Sequence, residues 1–422
     1  MTKTTATCPP KPLCRIILGI QMLFVAFGAL VLVPILTGLD PNIALLTAGA
    51  GTLLFHFITG ATIPVFLASS FAFIAPIKYS MTTFGTAATL GGLASVGLVY
   101  VLLSLLVRLG GTAAIHKYLP PIVTGPVIMV IGLKLAPIAV DMTKSFDGSG
   151  NPDEKALLIA VISLFAAVGA VIYGKSFFKL TPVLCGVAVG YLLSALLGVI
   201  DYEPIRNAAW LINPWTSAME AGRFAWPVFD SAAILYMLPV AIAPAIEHVG
   251  DILAVSSVTG QDFIKKPGLQ RTLLGDGLAT SMAAFLGGPP NTTYSEVTGA
   301  VALTKAFNPI YMIIAALSAI LLAFVGKLGA VLRTIPTPVM GGIMLLLFGM
   351  IAAIGMRSLI NAKTDLTKSR NLIIISLILV TGIGDMCISC GRFQLGGIGF
   401  CGLLGLFLNL ILPEEEKEII QC

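Results

Sequence analysis

The chain has 422 residues, 57% of them hydrophobic and 11% charged, and carries a net charge of +5. A water-soluble globular chain holds about 45–50% apolar and about 25% charged residues, so a fold surrounded by water is excluded. The positive charge is spread over many loops, which argues against a nucleic-acid-binding surface.

In chain order, a polar start with Lys3, Lys11 and Arg15 leads into an apolar run from Ile16 to about Gly38. That run is long enough to cross about 30 Å of hydrocarbon. It shows no small-residue cleavage pattern and reads as a retained first span. Further apolar blocks fall near 42–58, 86–107, 119–140, 156–173, 180–200, 231–258, 272–288, 309–332, 336–356, 371–386 and 395–412. Two shorter blocks bounded by Gly and Pro lie at 62–77 and 289–304. Together these predict an all-α polytopic membrane protein with fourteen crossings.

Most of the 25 Lys and Arg then fall on the side of the N-terminus. Lys265, Lys266 and Arg271 in one loop and Arg357, Lys363, Lys368 and Arg370 in another carry most of the bias. Both termini are therefore expected to be cytoplasmic, in an inner membrane. The connection Asp201–Asp230 holds all three tryptophans and is expected to lie along the outer membrane face. The Glu414–Glu418 cluster reads as a solvated tail. Cys387 and Cys390 form a C-x-x-C pair, but a zinc site takes about four ligands and no second pair is present. No metal and no cofactor is expected.

The chain also repeats itself. LPPIVTGPVIMVIGL (Leu119–Leu133) resembles PTPVMGGIMLLLFGM (Pro336–Met350), with Pro121, Gly125 and Gly132 recurring as Pro338, Gly342 and Gly349 at one offset. Upstream, VRLGG (Val107–Gly111) echoes GKLGA (Gly326–Ala330). These segments fall in the fifth and twelfth predicted spans, so the repeat holds seven crossings. Seven is odd, so the second copy must enter from the opposite side, the 7+7 inverted repeat common in secondary transporters.

The short blocks become the third span of each half. ATIPVFLASSFAFIAPI (Ala61–Ile77) and GGPPNTTYSEVTGAVAL (Gly287–Leu303) each open on proline and then offer about two turns of helix. Pro64, Pro289 and Pro290 cannot donate main-chain hydrogen bonds and disrupt a continuous helix. Non-helical backbone at membrane depth survives only where protein or a wet cavity satisfies it. Two short β-strands that pair with each other, each feeding a half-helix, are the economical solution for spans 3 and 10. The half-helices should begin near Ser70–Phe71 and Ser295–Glu296, exposing free N–H groups and the positive dipole end.

Two carboxylates interrupt the apolar sequence, Glu247 after LPVAIAPAI (Leu238–Ile246) and Glu296 in PPNTTYSEVTGAVALTK (Pro289–Lys305). An ionisable group at membrane depth costs about 2.5–3.5 kcal/mol on insertion scales and marks a site by default. No equally deep cation stands in an obvious pairing position, which points to a solute or proton pathway. Backbone donors beside carboxylate acceptors suit a small planar solute with alternating N–H and C=O groups.

EHVGD (Glu247–Asp251), PNTTYSEVTGAVALTK (Pro290–Lys305), SSFAFIAP (Ser69–Pro76) and QMLFVAFGALVLVP (Gln21–Pro34) together resemble the nucleobase–ascorbate transporter family, most of all its bacterial uracil-permease branch. The resemblance runs from about Gln21 to Arg370. It implies fourteen spans in two inverted halves. A core domain would comprise residues 16–108 and 231–333, and a gate domain residues 119–200 and 336–412. It implies that Glu247 and Glu296 accept from the base, with Tyr294, Ser295, Ser70 and Phe71 around it. Ala29 and Phe348 match apolar wall positions. The chain departs from the family pattern at Val297, at Met22 and at Asp251, and with Asp276 these departures leave uracil and xanthine both open.

Asp251 lies four residues after Glu247, on the same helical face. Two carboxylates so close in a low dielectric resist simultaneous ionisation, which makes the pair a proton-coupling candidate. His248 and Asp276 are secondary candidates, with packing and scaffolding as their alternatives. Lys134 in span 5 reads as snorkelling or facing a gate crevice. The expected function is proton-coupled import of a nucleobase, with uracil foremost. A sodium-coupled purine permease, an anion carrier or channel of the same fold and a membrane-embedded enzyme are the rivals. The last lacks a nucleophile–base pair, a metal cluster and a nucleotide loop. Protons, the base and lipid are the expected partners, and the oligomeric state is left open, a homodimer included.

Overall fold

The computed structural model describes residues 12–111, 120–146, 151–175, 177–390 and 393–413, so the Glu414–Glu418 tail lies outside the described residues. The described chain is mostly helical. Helices α1 (Pro12–Val25) and α2 (Phe27–Thr37) follow one another with only Ala26 between them. Helix α3 (Pro41–Thr59) starts where the Asp40 carboxylate accepts from the N–H groups of Asn42 at 2.9 Å and Ile43 at 3.4 Å. Pro41 presets its first φ, and Gly60 ends it at φ 68°. Strand β1 (Leu67–Ser69), a 3₁₀ turn at Phe71–Phe73, α4 (Ile74–Thr83) and α5 (Gly85–Gly110) come next. The first half closes with α6 (Pro121–Lys144), α7 (Glu154–Tyr173) and α8 (Pro182–Leu196).

The second half runs through α9 (Ser231–Met237), α10 (Ile242–Thr259), α11 (Leu269–Phe285), β2 (Asn291–Thr293), α12 (Ser295–Thr304), α13 (Ile310–Ala323) and α14 (Gly326–Arg333). It ends with α15 (Thr337–Asn361), α16 (Ser369–Ile383), β3 (Cys387–Cys390), β4 (Phe393–Gly396) and α17 (Gly397–Ile411). Among the described residues, seven helices are long and apolar enough to cross a membrane, and four shorter apolar helices accompany them. Large apolar side chains such as Leu102, Phe165, Leu196 and Leu321 are exposed on the outer surfaces of these helices, as a lipid-facing shell requires.

Three elements differ from the sequence reading. The apolar block at 309–332 is not one helix but α13 and α14. Between them Ile212 N–H donates to Phe324 O and Gly326 N–H to Trp210 O, both at 3.0 Å. The outer connection thus satisfies the backbone groups that the break frees. The block at 231–258 is interrupted by a 3₁₀ turn at Leu238–Ala241, where Pro239 removes a donor. A second hairpin, β3 with β4, occupies the C-x-x-C region, where no strand was expected. In the connection 201–230, Trp210 and Trp226 are exposed, while Trp215 Nε1 donates to Leu286 O at 3.0 Å.

Helix α5 packs along α11, α3 along α11 and α13, and α1 along α13. Separately, α6 packs along α15, α7 against α8 and α15, and α16 against α6 and α17. Small residues bring these backbones together in the absence of a hydrophobic drive between helices. At the α5–α11 crossing, a Cβ on Gly97 would strike the Gly277 carbonyl, and one on Gly277 would strike Tyr100. At the α6–α15 crossing, Gly125 lies against Gly355 and Leu359, and Gly132 against Phe348 and Ala352. Position numbers rise along one helix as they fall along the other, so the two repeat-related helices run antiparallel.

Candidate substrate site

The site is organised by two strands of three residues each. β1 pairs antiparallel with β2 in the register Leu67↔Thr293, Ala68↔Thr292 and Ser69↔Asn291. Such a short ladder leaves edges unpaired, and side chains from the surrounding helices close them. Leu67 N–H donates to Thr52 Oγ1 at 2.9 Å, and Thr280 Oγ1 donates to Asn291 O at 2.7 Å. Asn291 Nδ2 donates to Thr47 O at 3.0 Å, and His56 Nε2 lies 3.0 Å from Val65 O. Non-helical backbone is therefore held inside protein. These edge contacts are the part of the site that the sequence reading missed, because lone Thr and His side chains in apolar helices carry no distinctive spacing.

Each strand leads into a short helix, as expected. After β1 the chain turns through Phe71–Phe73 into α4, and after β2 it enters α12 at Ser295. Neither helix start has a side-chain cap, so first-turn N–H groups are available to a bound solute. The Ser70 N–H is not one of them, because it donates to Pro290 O at 2.9 Å. Tyr294 OH donates to Ser69 O at 3.2 Å, tying the β2–α12 junction back to β1. The Phe71 ring lies 6.1 Å from those of both Tyr294 and Phe348, edge-on to the latter. The structure thus brings Phe71, Tyr294 and Phe348 together. Ala29 is buried on α2, which packs against β1.

Glu247 is half-buried on α10, which packs against α12. Its carboxylate is within electrostatic reach of Asp251, Glu296 and Asp276, and has no hydrogen-bond or ion-pair partner among the described residues. Glu296, the second residue of α12, is half-buried, with its carboxylate against its own N–H. Asp251 is buried and fully engaged. Its Oδ2 accepts from Thr293 Oγ1 at 2.8 Å and its Oδ1 from Ser295 Oγ. His248 points elsewhere, with Nδ1 3.2 Å from Asp276 Oδ2 and both side chains fully buried. Four carboxylates therefore converge around β2, with His248 the one ionisable nitrogen paired to any of them among the described residues. This charge pattern favours solutes that donate hydrogen bonds and disfavours anions.

Residues 14–389 match the profile of the xanthine/uracil permeases, described as Permease family. The chain is 54% identical over 401 residues to the probable uracil permease of Haemophilus influenzae, covering 95% of each. It is 44% identical over 410 residues to the uracil permease of Bacillus caldolyticus, covering 95% of this chain and 93% of that one. Among solved structures, the transmembrane domain of the cyanobacterial bicarbonate transporter BicA superposes with a TM-score of 0.64 at 15% identity, covering 96% of this chain and 98% of that chain. At that identity the likeness concerns the fold alone. A helical chain with several membrane-length apolar segments, a transporter fold and near full-length permease relatives belongs to this family: it is a multi-pass membrane transporter of the nucleobase–ascorbate type, not an enzyme.

Proposed function

We propose that the chain imports uracil with protons across the inner membrane by alternating access. The observation that carries this reading is the placement of Glu247 and Glu296, two carboxylates without a cationic partner among the described residues, beside the paired strands and the Phe71–Tyr294–Phe348 rings. A planar base offers ring N–H donors to such carboxylates and faces to the rings. Its carbonyls meet the free N–H groups at the starts of the two short helices. Relatives named uracil permease support the choice of base.

In this reading the chain forms fourteen spans in two inverted halves, with spans 3 and 10 broken at the strands and both termini cytoplasmic. The antiparallel run of α6 and α15 supports the inversion. Residues 16–108 and 231–333 form the core and residues 119–200 and 336–412 the gate, in keeping with the two packing groups of helices. Glu247, Glu296, Tyr294, Ser295, Ser70, Phe71, Ala29 and Phe348 make up the substrate site. Glu247 with Asp251, backed by His248 and Asp276, is the proton-coupling element.

The test is uptake by proteoliposomes of the purified protein. Labelled uracil should accumulate under an inward-acid gradient and be displaced by unlabelled uracil far better than by xanthine. Preference for xanthine, or accumulation that follows sodium, would overturn the reading.

A further inference from the structure

The junction between β2 and α12 is held at three consecutive side chains. Thr293, the last residue of β2, donates through Oγ1 to Asp251 Oδ2 at 2.8 Å. Tyr294 donates to Ser69 O at 3.2 Å. Ser295, the first residue of α12, donates through Oγ to Asp251 Oδ1. Asp251 itself stands one turn beyond Glu247 on α10 and is 3% exposed. One carboxylate thus bridges the end of a strand and the start of a helix, one oxygen to each.

The bend lies at Tyr294, whose φ of −130° and ψ of 117° are extended while the next residue is helical. The N-cap residue Tyr294 makes no side-chain cap to α12, so the strand-to-helix bend is not fixed by a cap. The Asp251 bridge fixes it from a neighbouring helix. It also engages the Ser295 hydroxyl, which leaves the main chain of α12 and the Glu296 carboxylate to meet a solute.

The geometry points to Asp251 as a positioning residue for the base: through Thr293 and Ser295 it aims the start of α12 and Glu296 at the substrate without touching the substrate itself. This inference rests on the nucleobase reading of the site. It assigns Asp251 a role separable from proton coupling, because the role depends on the two hydroxyls.

The experiment is a mutant cycle on the full-length protein, read as the uracil Kd, the uptake KM and Vmax, and the melting temperature without base. Asp251→Ala should raise Kd and KM on the order of tenfold or more, and Thr293→Val and Ser295→Ala each on the order of fivefold, as for single buried hydrogen bonds. Vmax should change little for Thr293→Val and Ser295→Ala, which leave the Asp251 carboxylate in place. Thr293→Ser and Ser295→Thr, which keep the hydroxyls, should restore near wild-type affinity. In the Thr293→Val/Ser295→Ala background, Asp251→Ala should add almost nothing to Kd, and the melting temperatures should show the same non-additivity. Equal effects of Asp251→Ala in both backgrounds would overturn the proposal. So would failure of the hydroxyl-retaining variants to restore affinity in protein that melts normally. Failure of the wild type to bind uracil at all would instead sink the functional reading, and this proposal with it.

Discussion

Lys134 Nζ lies 2.5 Å from Asp385 Oδ1, joining the middle of α6 to the turn that follows α16 and launches the β3–β4 hairpin. The lysine side chain is 15% exposed and the aspartate 66%. Gly397, at φ 55°, leaves the notch in which the pair sits, because a Cβ there would meet both partners. β4 in turn packs against α9, whose Tyr236 stacks on Tyr79 with ring centroids 4.9 Å apart. The pair therefore anchors the base of a hairpin that reaches from one packing group of helices to the other.

Asp385→Asn should lower stability only modestly, by about 1 kcal/mol or less, because one partner is well solvated. Lys134→Gln on its own should cost no more, since it leaves the exposed Asp385 in water. The double variant should melt close to the less stable single one. Melting curves of the four proteins in one detergent check this. Additive losses would show that the two side chains act independently.

Glu247→Gln should abolish uracil binding, with a loss on the order of a hundredfold or more, while leaving the melting temperature of the ligand-free protein unchanged. Among the described residues the carboxylate has no hydrogen-bond or ion-pair partner to lose on substitution. Gln would present a donor to the ring N–H groups where an acceptor is needed. Glu296→Ala should weaken binding similarly. A Glu247→Gln protein that binds uracil with wild-type affinity would mean that the site has been assigned to the wrong residues.

Close helix approach gives a third expectation. Gly277→Val should destabilise the protein strongly, because a side chain there collides with the Tyr100 side chain across the α5–α11 crossing. Gly299→Val on α12 should be tolerated sterically, since a Cβ there meets nothing within 4 Å. Expression level and melting temperature of the two variants distinguish them. Equal stability would show that the α5–α11 packing can relax.

What the sequence made legible were breaches of a strong rule. Glu247 and Glu296 stand out because charge is rare in apolar runs, and Pro64, Pro289 and Pro290 because they forbid a continuous helix. The pairing of β1 with β2 followed from the need to satisfy their backbone. The partners of Asp251 were not legible, because Thr293 and Ser295 are ordinary residues whose hydroxyls matter only once the strand places them. Nor could Lys134 be matched to Asp385, 251 positions away. The break between α13 and α14 has no proline at Phe324–Val325. It exists because the Trp210–Ile212 segment satisfies its backbone, a tertiary fact with no local signal.

His248 and Asp276 form the most deeply buried polar pair of the site, bridging α10 and α11 at 3.2 Å with neither side chain exposed. Their separation fits an ion-pair contact, yet neither side chain has a well-directed hydrogen bond. Such a pair gains little net stability from its own attraction, but removing one member strands the other in a low dielectric. Asp276→Asn and His248→Ala should therefore each cost about 3–5 kcal/mol, a far larger penalty than Glu247→Gln. Replacing both together, Asp276→Leu with His248→Phe, should restore much of that loss if the pair only braces the helices. Proton coupling gives the decisive contrast. A bracing pair predicts that the stable double variant still accumulates uracil under an inward-acid gradient. A pair that takes part in coupling predicts exchange of labelled for unlabelled uracil without accumulation. Counterflow and gradient-driven uptake, measured on the same double-variant proteoliposomes, decide between the two.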